Sequence, residues 1–210
     1  MNELLVRSIA GVMMAAVALI AAFLGGYVFA ILVAIAAGAM FVEWRRLAVG
    51  WGVGWMVAGF AYALVPALAL LWLRDRAPQG LELIFWVFIV TWTTDIGAFF
   101  AGRAIGGPRL AAGISPNKTW AGLIGGMVSA GLAGWAWTQY VMLPVSLIWL
   151  APAFAAAAQG GDLFESWLKR RAGAKDSGSM LPGHGGILDR LDGLVVVATL
   201  TALFQAGGVL

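Results

Sequence analysis

Five carboxylates, Asp95, Asp162, Glu165, Asp189 and Asp192, sit within or at the ends of long apolar runs. A charge in such a run is costly and seldom idle. Asp162, Glu165, Ser166 and Lys169 follow one another at offsets of three, four and seven, so on a helix they share one face. Asp189 and Asp192 are three apart and share another. Two such faces brought together make an oxygen-rich pocket. Carboxylates and water suit magnesium, which commonly keeps substrate phosphate oxygens among its ligands. Lys118, Lys169, Arg170, Arg171, Lys175 and Arg190 flank the acids, among glycines and the single histidine, His184. Acids to hold a metal, cations to hold phosphates and glycines that admit oxyanions to backbone N–H groups together describe a phosphate-handling site.

Taken singly, each piece has a plainer reading. Lys169, Arg170 and Arg171 could be an anchor that snorkels to lipid headgroups. Asp95 could be a satisfied buried acid or one step of a proton path. His184 could be a loop histidine, and Gly183, Gly185 and Gly186 a flexible turn. It is their concentration within a short stretch that favours chemistry.

The elements that must position these groups are membrane helices. Of 210 residues, 62% are hydrophobic and 11% charged, against about 25% charged in soluble domains. Seven apolar runs are read as spans, near 4–23, 27–44, 54–73, 82–101, 120–139, 144–164 and 191–209; about twenty residues cross a bilayer. The expected fold is therefore an all-α, polytopic bundle of about seven transmembrane helices. Residues 1–81 form N-terminal helices, and residues 82–210 form a catalytic region with two polar loops, 102–119 and 165–190. Arg7 and the apolar run after it read as a first membrane helix, not a cleaved signal.

Placing the N-terminus inside puts eleven of the thirteen Lys and Arg residues on inner segments and leaves only Arg74 and Arg76 outside, as the positive-inside rule favours. All five acids then fall toward the inner side. Trp44, Trp51, Trp55, Trp120 and Trp167 lie near the inner boundary, and Trp72, Trp135, Trp137 and Trp149 near the outer one; Trp86 and Trp92 lie deeper. With no cysteine, disulfides and Cys-based metal sites are excluded. A net charge of +3 is too small to suggest nucleic acid. Gly122 with Gly126 and Ala130 with Gly134 keep four-residue spacing, which suits close packing inside a bundle or a homodimer face.

Residues 166–192, SWLKRRAGAKDSGSMLPGHGGILDRLD, resemble the signature of the phosphatidate cytidylyltransferases, also called CDP-diglyceride synthases. Ser166, Lys169, Arg170, Lys175, Asp176, Pro182, His184, Gly185, Gly186, Asp189, Arg190 and Asp192 match it in type and spacing. Residues 159–166, QGGDLFES, resemble the acidic helix end that precedes it. Residues 95–122 resemble the family's earlier loop, with Ser115, Pro116, Lys118 and Thr119. The likeness covers the chain from Asp95 onward. It departs at Asn117, where the family often has lysine, at Ala121, where it often has glutamate, and near Phe99, where it often has tyrosine. The N-terminal part is short for the family.

The resemblance implies transfer of CMP from CTP to phosphatidic acid, with magnesium, at the cytoplasmic side of a bacterial inner membrane. It implies Asp162, Asp189, Asp192 and Lys169 as catalytic residues, with Asp162, Asp189 and Glu165 on the metal. Ser115, Asn117, Lys118, Arg170, Lys175, Asp176, His184 and Arg190 are implied to bind substrate. The partners are then CTP, phosphatidic acid and membrane lipids. A CTP-dependent lipid kinase, an ion-coupled transporter and an inactive member serving as an interaction subunit are the competing expectations.

Overall fold

The computed structural model describes residues 3–178, 180 and 185–210. Its order is α1 (Glu3–Leu24), α2 (Gly26–Leu47), α3 (Val53–Arg74), α4 (Gly80–Ile105), β1 (Arg109–Ala111), β2 (Ser115–Thr119), α5 (Trp120–Tyr140), α6 (Ser146–Arg171) and α7 (Leu188–Ala206). A helix stands at each of the seven apolar runs. Among the described residues, four of them, α2, α3, α4 and α6, are long and apolar enough to cross a membrane. In lipid a helix satisfies its own backbone hydrogen bonds, which is why apolar runs of this length take that form.

The reversal between α1 and α2 is made at Gly25 and Gly26, with φ of 64° and 50°. Left-handed backbone of this kind favours glycine. Arg74, at the end of α3, closes the same corner: its Nε donates to the Ala22 carbonyl at 2.6 Å and its Nη2 to the Phe23 carbonyl at 3.2 Å. A cation on the last carbonyls of a helix satisfies orphan acceptors and meets the negative end of the helix dipole. Arg74 thus has a local structural task.

Helices α4 and α5 lie closest together because small residues remove the side-chain spacers between them. A Cβ on Gly122 would stand 3.0 Å from the Ala98 carbonyl oxygen, and one on Gly126 2.9 Å from that of Thr94. Further along α5, a Cβ on Gly134 would stand 2.8 Å from the Ala151 Cβ of α6. Gly122, Gly126, Ala130 and Gly134 are all buried, so the four-residue spacing serves packing within this chain. The opposite face of α5, Ile124, Val128, Leu132 and Trp135, is exposed. Trp86 is fully buried and meets Phe154 edge-on at 5.9 Å, while Trp92 stacks on Phe88 at 5.3 Å. Core packing is what places these two indoles away from the boundaries.

Two expectations about the polar segments are corrected. The stretch 102–119 is not all loop: β1 and β2 pair antiparallel, with Arg109 opposite Thr119 and Ala111 opposite Ser115. Glycines and Pro116 bar a helix there, and a short hairpin satisfies the backbone instead. The stretch 165–190 is helical at both ends. Helix α6 runs on through Lys169, Arg170 and Arg171, since 165–171 holds neither Gly nor Pro, and it stops before Gly173, whose φ is 69°. Helix α7 begins at Leu188, so Asp189 and Arg190 lie in its first turn.

Adding a single methyl group tests the α4–α5 seam. Gly126→Ala should lower the melting temperature of the detergent-solubilised protein, followed by tryptophan fluorescence, by an amount equivalent to about 1–3 kcal/mol of overpacking. Gly38→Ala, whose Cβ meets nothing within 4 Å, should not lower it.

Candidate functional site

The acids gather into two neighbouring groups. The first is built around Asp162 of α6. Its Oδ2 is 2.5 Å from Lys118 Nζ, and Ser166 Oγ, one turn on, donates to its Oδ1 at 3.4 Å. Lys118 also donates to the Gln159 carbonyl at 3.3 Å. The hairpin therefore delivers its lysine directly onto α6. Thr119, the next residue, ends the strand and caps α5 by accepting from the Gly122 N–H at 3.0 Å, as Ser and Thr do at helix starts. Asp95 of α4 and Asp192 of α7 lie within electrostatic reach of Asp162 and Lys118. Helix contact is tight here, for a Cβ on Gly161 would stand 2.8 Å from the Asp192 carbonyl oxygen.

The second group is built around Lys169. It pairs with Glu165 Oε1 at 3.1 Å and with Asp189 Oδ1, which joins the end of α6 to the start of α7. Asp189 Oδ2 accepts from the Ser177 N–H at 2.9 Å, the Ser177 hydroxyl at 2.9 Å and the Gly186 N–H at 3.0 Å. That many donors hold the carboxylate in its charged form. Glu165 is in the opposite condition. It is 1% exposed, and among the described residues its oxygens have no partner of good hydrogen-bond geometry, Oε1 being held by the Lys169 ion pair. The Tyr62 hydroxyl of α3 is likewise buried without a partner, and it lies within electrostatic reach of Glu165, Asp192 and Asp162.

The three consecutive cations go to three different places, as a rotation of about 100° per residue requires. Lys169 points in among the acids. Arg170 turns to the hairpin and the following loop, donating to the Ile114 carbonyl at 3.5 Å and the Ala174 carbonyl at 3.4 Å. Arg171 lies over three indoles, 4.5 Å from Trp51, 4.8 Å from Trp55 and 5.4 Å from Trp167. The anchor reading thus fits Arg171, and the site reading fits Lys169.

Other expected residues are placed as follows. Ser115 is half-buried and Asn117 exposed on β2. Lys175 and Asp176 are exposed in the loop after α6. Arg190 lies within electrostatic reach of Asp95 and also lines an apolar groove of about 420 Å³ bounded by Met14, Phe29, Met40, Pro66 and Leu194. His184 and Pro182 lie outside the described residues.

Magnesium can be weighed against these donors. Among the described residues, no three carboxylate or imidazole groups converge closely enough to hold an ion by themselves. Magnesium does not need such a cage, since one or two carboxylates with substrate phosphates and water suffice. The buried Glu165 oxygens, hard donors without a hydrogen-bond partner, fit that kind of site.

Sequence reasoning passed over Glu43. It sits on α2, fully buried, accepts from the Ile187 and Leu188 N–H groups, and shares the single Ser177 hydroxyl proton with Asp189. A signal was present: it is the only carboxylate between Glu3 and Asp75, and an acid that deep in an apolar half is rarely idle.

A family model described as the Cytidylyltransferase family matches residues 45–206. The chain is 51% identical over 159 residues to a phosphatidate cytidylyltransferase of Brucella suis biovar 1, covering 74% of this chain and 58% of that protein. It is 36% identical over 183 residues to a phosphatidate cytidylyltransferase of Rickettsia bellii, covering 83% and 77%. A Bacillus subtilis protein of the same description is 43% identical over 140 residues, covering 63% and 52%. The chain thus spans 58% of the length of the Brucella relative.

The Lys118–Asp162 pair should hold the hairpin against α6. Lys118→Met should speed amide exchange across residues 109–119 about tenfold, equivalent to about 1.4 kcal/mol, with exchange in α4 and α5 unchanged by mass spectrometry.

Proposed function

The chain belongs to the cytidylyltransferase family, and from that premise we propose that it joins CTP and phosphatidic acid into CDP-diacylglycerol and pyrophosphate. The observation that carries this reading is the Lys118–Asp162 pair. It brings the hairpin motif and the α6 motif, 44 residues apart in sequence by their numbering, into one site beside Lys169, Glu165 and Asp189. The apolar groove that Arg190 lines supports a lipid substrate, because it sets a cation beside a surface suited to acyl chains.

In the proposed reaction an oxygen of the lipid phosphate attacks the α-phosphorus of CTP. A new P–O–P bond forms, and the bond from the α-phosphorus to the bridging oxygen of the β,γ-diphosphate breaks, releasing pyrophosphate. Two anions must meet, so charge neutralisation and in-line positioning dominate catalysis. Lys118, Lys169, Arg170, Lys175 and Arg190 supply the positive charge. Ser115 and Asn117 contact substrate from the hairpin, while Asp176 and His184 complete the loop's polar set. Asp162, Glu165 and Asp189 are the residues that would hold magnesium, with Asp192 beside them; the ion screens phosphate charge when bound. Asp189 orients Lys169 and the Ser177 backbone through the contacts it already makes.

The reading includes seven spans with the N-terminus and the site on the cytoplasmic side, on the distribution of Lys and Arg. The exposed apolar face of α5 supports counting it among the spans. A bacterial inner membrane fits the relatives' sources.

The deciding assay is purified protein with phosphatidic acid, magnesium and CTP labelled either in cytidine or at the γ-phosphate. Cytidine label in the lipid is the expected result. Lipid carrying the γ-label instead would establish a kinase, and no lipid label would leave an interaction subunit. Asp189→Asn should lower cytidylyl transfer by about 100-fold or more while membrane insertion persists; near-normal turnover would remove Asp189 from the site.

A further inference from the structure

Glu43 lies two residues before the stretch matched by the family model, on a helix that carries none of the site motifs. Its side chain leaves α2 and enters the loop that precedes α7. Oε1 accepts from the Ile187 N–H at 3.0 Å, and Oε2 accepts from the Leu188 N–H at 2.9 Å. These two amides open α7, whose N-cap position is Ile187 and has no side-chain cap of its own. The isoleucine side chain cannot accept a hydrogen bond, so the first amides of α7 would be orphaned. A carboxylate from another helix fills the vacancy and meets the positive end of the helix dipole.

The same carboxylate is tied to Asp189. Ser177 Oγ is 2.9 Å from Glu43 Oε2 and 2.9 Å from Asp189 Oδ2. Ser177 is itself buried, so the link is shielded from water. Two glycines make the room. A Cβ on Gly178 would stand 2.5 Å from Glu43 Oε1, and one on Gly186 would stand 2.4 Å from Glu43 Oε2 and 1.9 Å from Ser177 Oγ. Neither glycine has a positive φ. Space for this carboxylate, and not backbone conformation, is what demands them.

We infer that Glu43 is a positioning residue for Asp189: it clamps the start of α7 and the Ser177 hydroxyl, and so fixes the direction in which Asp189 presents its carboxylate to Lys169. The catalytic arm of its test rests on the proposed cytidylyl transfer, and the structural arm does not.

The test uses the full chain in lipid nanodiscs, comparing wild type with Glu43→Gln, Ser177→Ala and the double variant. Hydrogen exchange should quicken about tenfold or more in Glu43→Gln across residues 176–189 alone, with α2, α3 and α5 unchanged. kcat should fall about 10- to 100-fold, the usual effect of removing a partner that orients a functional group. KM for CTP should stay within about threefold, because Lys118 and Arg170 are seated by other elements. Ser177→Ala should reproduce the kcat loss, and the double variant should be no slower than Glu43→Gln, since both break one chain of contacts. Additive losses, wild-type exchange at 176–189, or exchange that quickens throughout α2 and α3 with a matching fall in melting temperature would each overturn the inference. If Glu43→Gln does not fold, Ser177→Ala decides alone by local exchange and the kcat-to-KM split. Wild-type protein that transfers no cytidylyl group would defeat the proposed function, while the exchange measurements would still judge the clamp.

Discussion

Lys169 holds two carboxylates from two helices, Glu165 of α6 and Asp189 of α7, and the arrangement of the polar end of the molecule depends on that cation. Without it, two acids would face each other in a half-buried space, where like charges repel strongly. With it, the end of α6 and the start of α7 are pinned together. Buried ion pairs gain little net stability once desolvation is counted, and their better-attested use is to select one arrangement among many. That use fits here.

Around this pair the site is divided by degree of satisfaction. Asp189 has donors on both oxygens, and Asp162 is shared between Lys118 and Ser166. Glu165 and the Tyr62 hydroxyl are buried with no hydrogen bond of good geometry among the described residues. Buried polar atoms normally find partners, so unsatisfied ones beside a cluster of acids and cations mark the place where an incoming group has most to offer.

Much of this was legible in sequence, for stated reasons. Apolar runs of about twenty residues leave few options but helices, and each of the seven is one. The offsets among Asp162, Ser166 and Lys169 give a common face because helix geometry is regular, and Ser166 does bond Asp162. What was not legible turns on contacts distant in sequence. Nothing local says that Lys118 lies on a strand or that it meets Asp162. Nothing near Asp189 points to Glu43, 146 positions earlier by numbering, because a lone acid does not announce its partners. The run of Lys169, Arg170 and Arg171 read as one basic cluster, although a helix must send the three side chains in different directions. The glycines of the signature looked like hinges or phosphate cradles; Gly178 and Gly186 instead leave room for a carboxylate.

Arg171, seated among Trp51, Trp55 and Trp167, also acts as a depth gauge. Indole rings favour the level of lipid headgroups, so in the proposed membrane placement that end of α6 would lie there. Asp162 lies nine residues back along the same helix by numbering, a rise of about 14 Å. A phospholipid whose phosphate is to meet Asp162 would therefore have to sink below its neighbours by a distance the helix sets. In the proposed reaction, bilayer thickness and headgroup crowding would then act as parameters, and membranes of different composition should present the same lipid to the same protein at different cost.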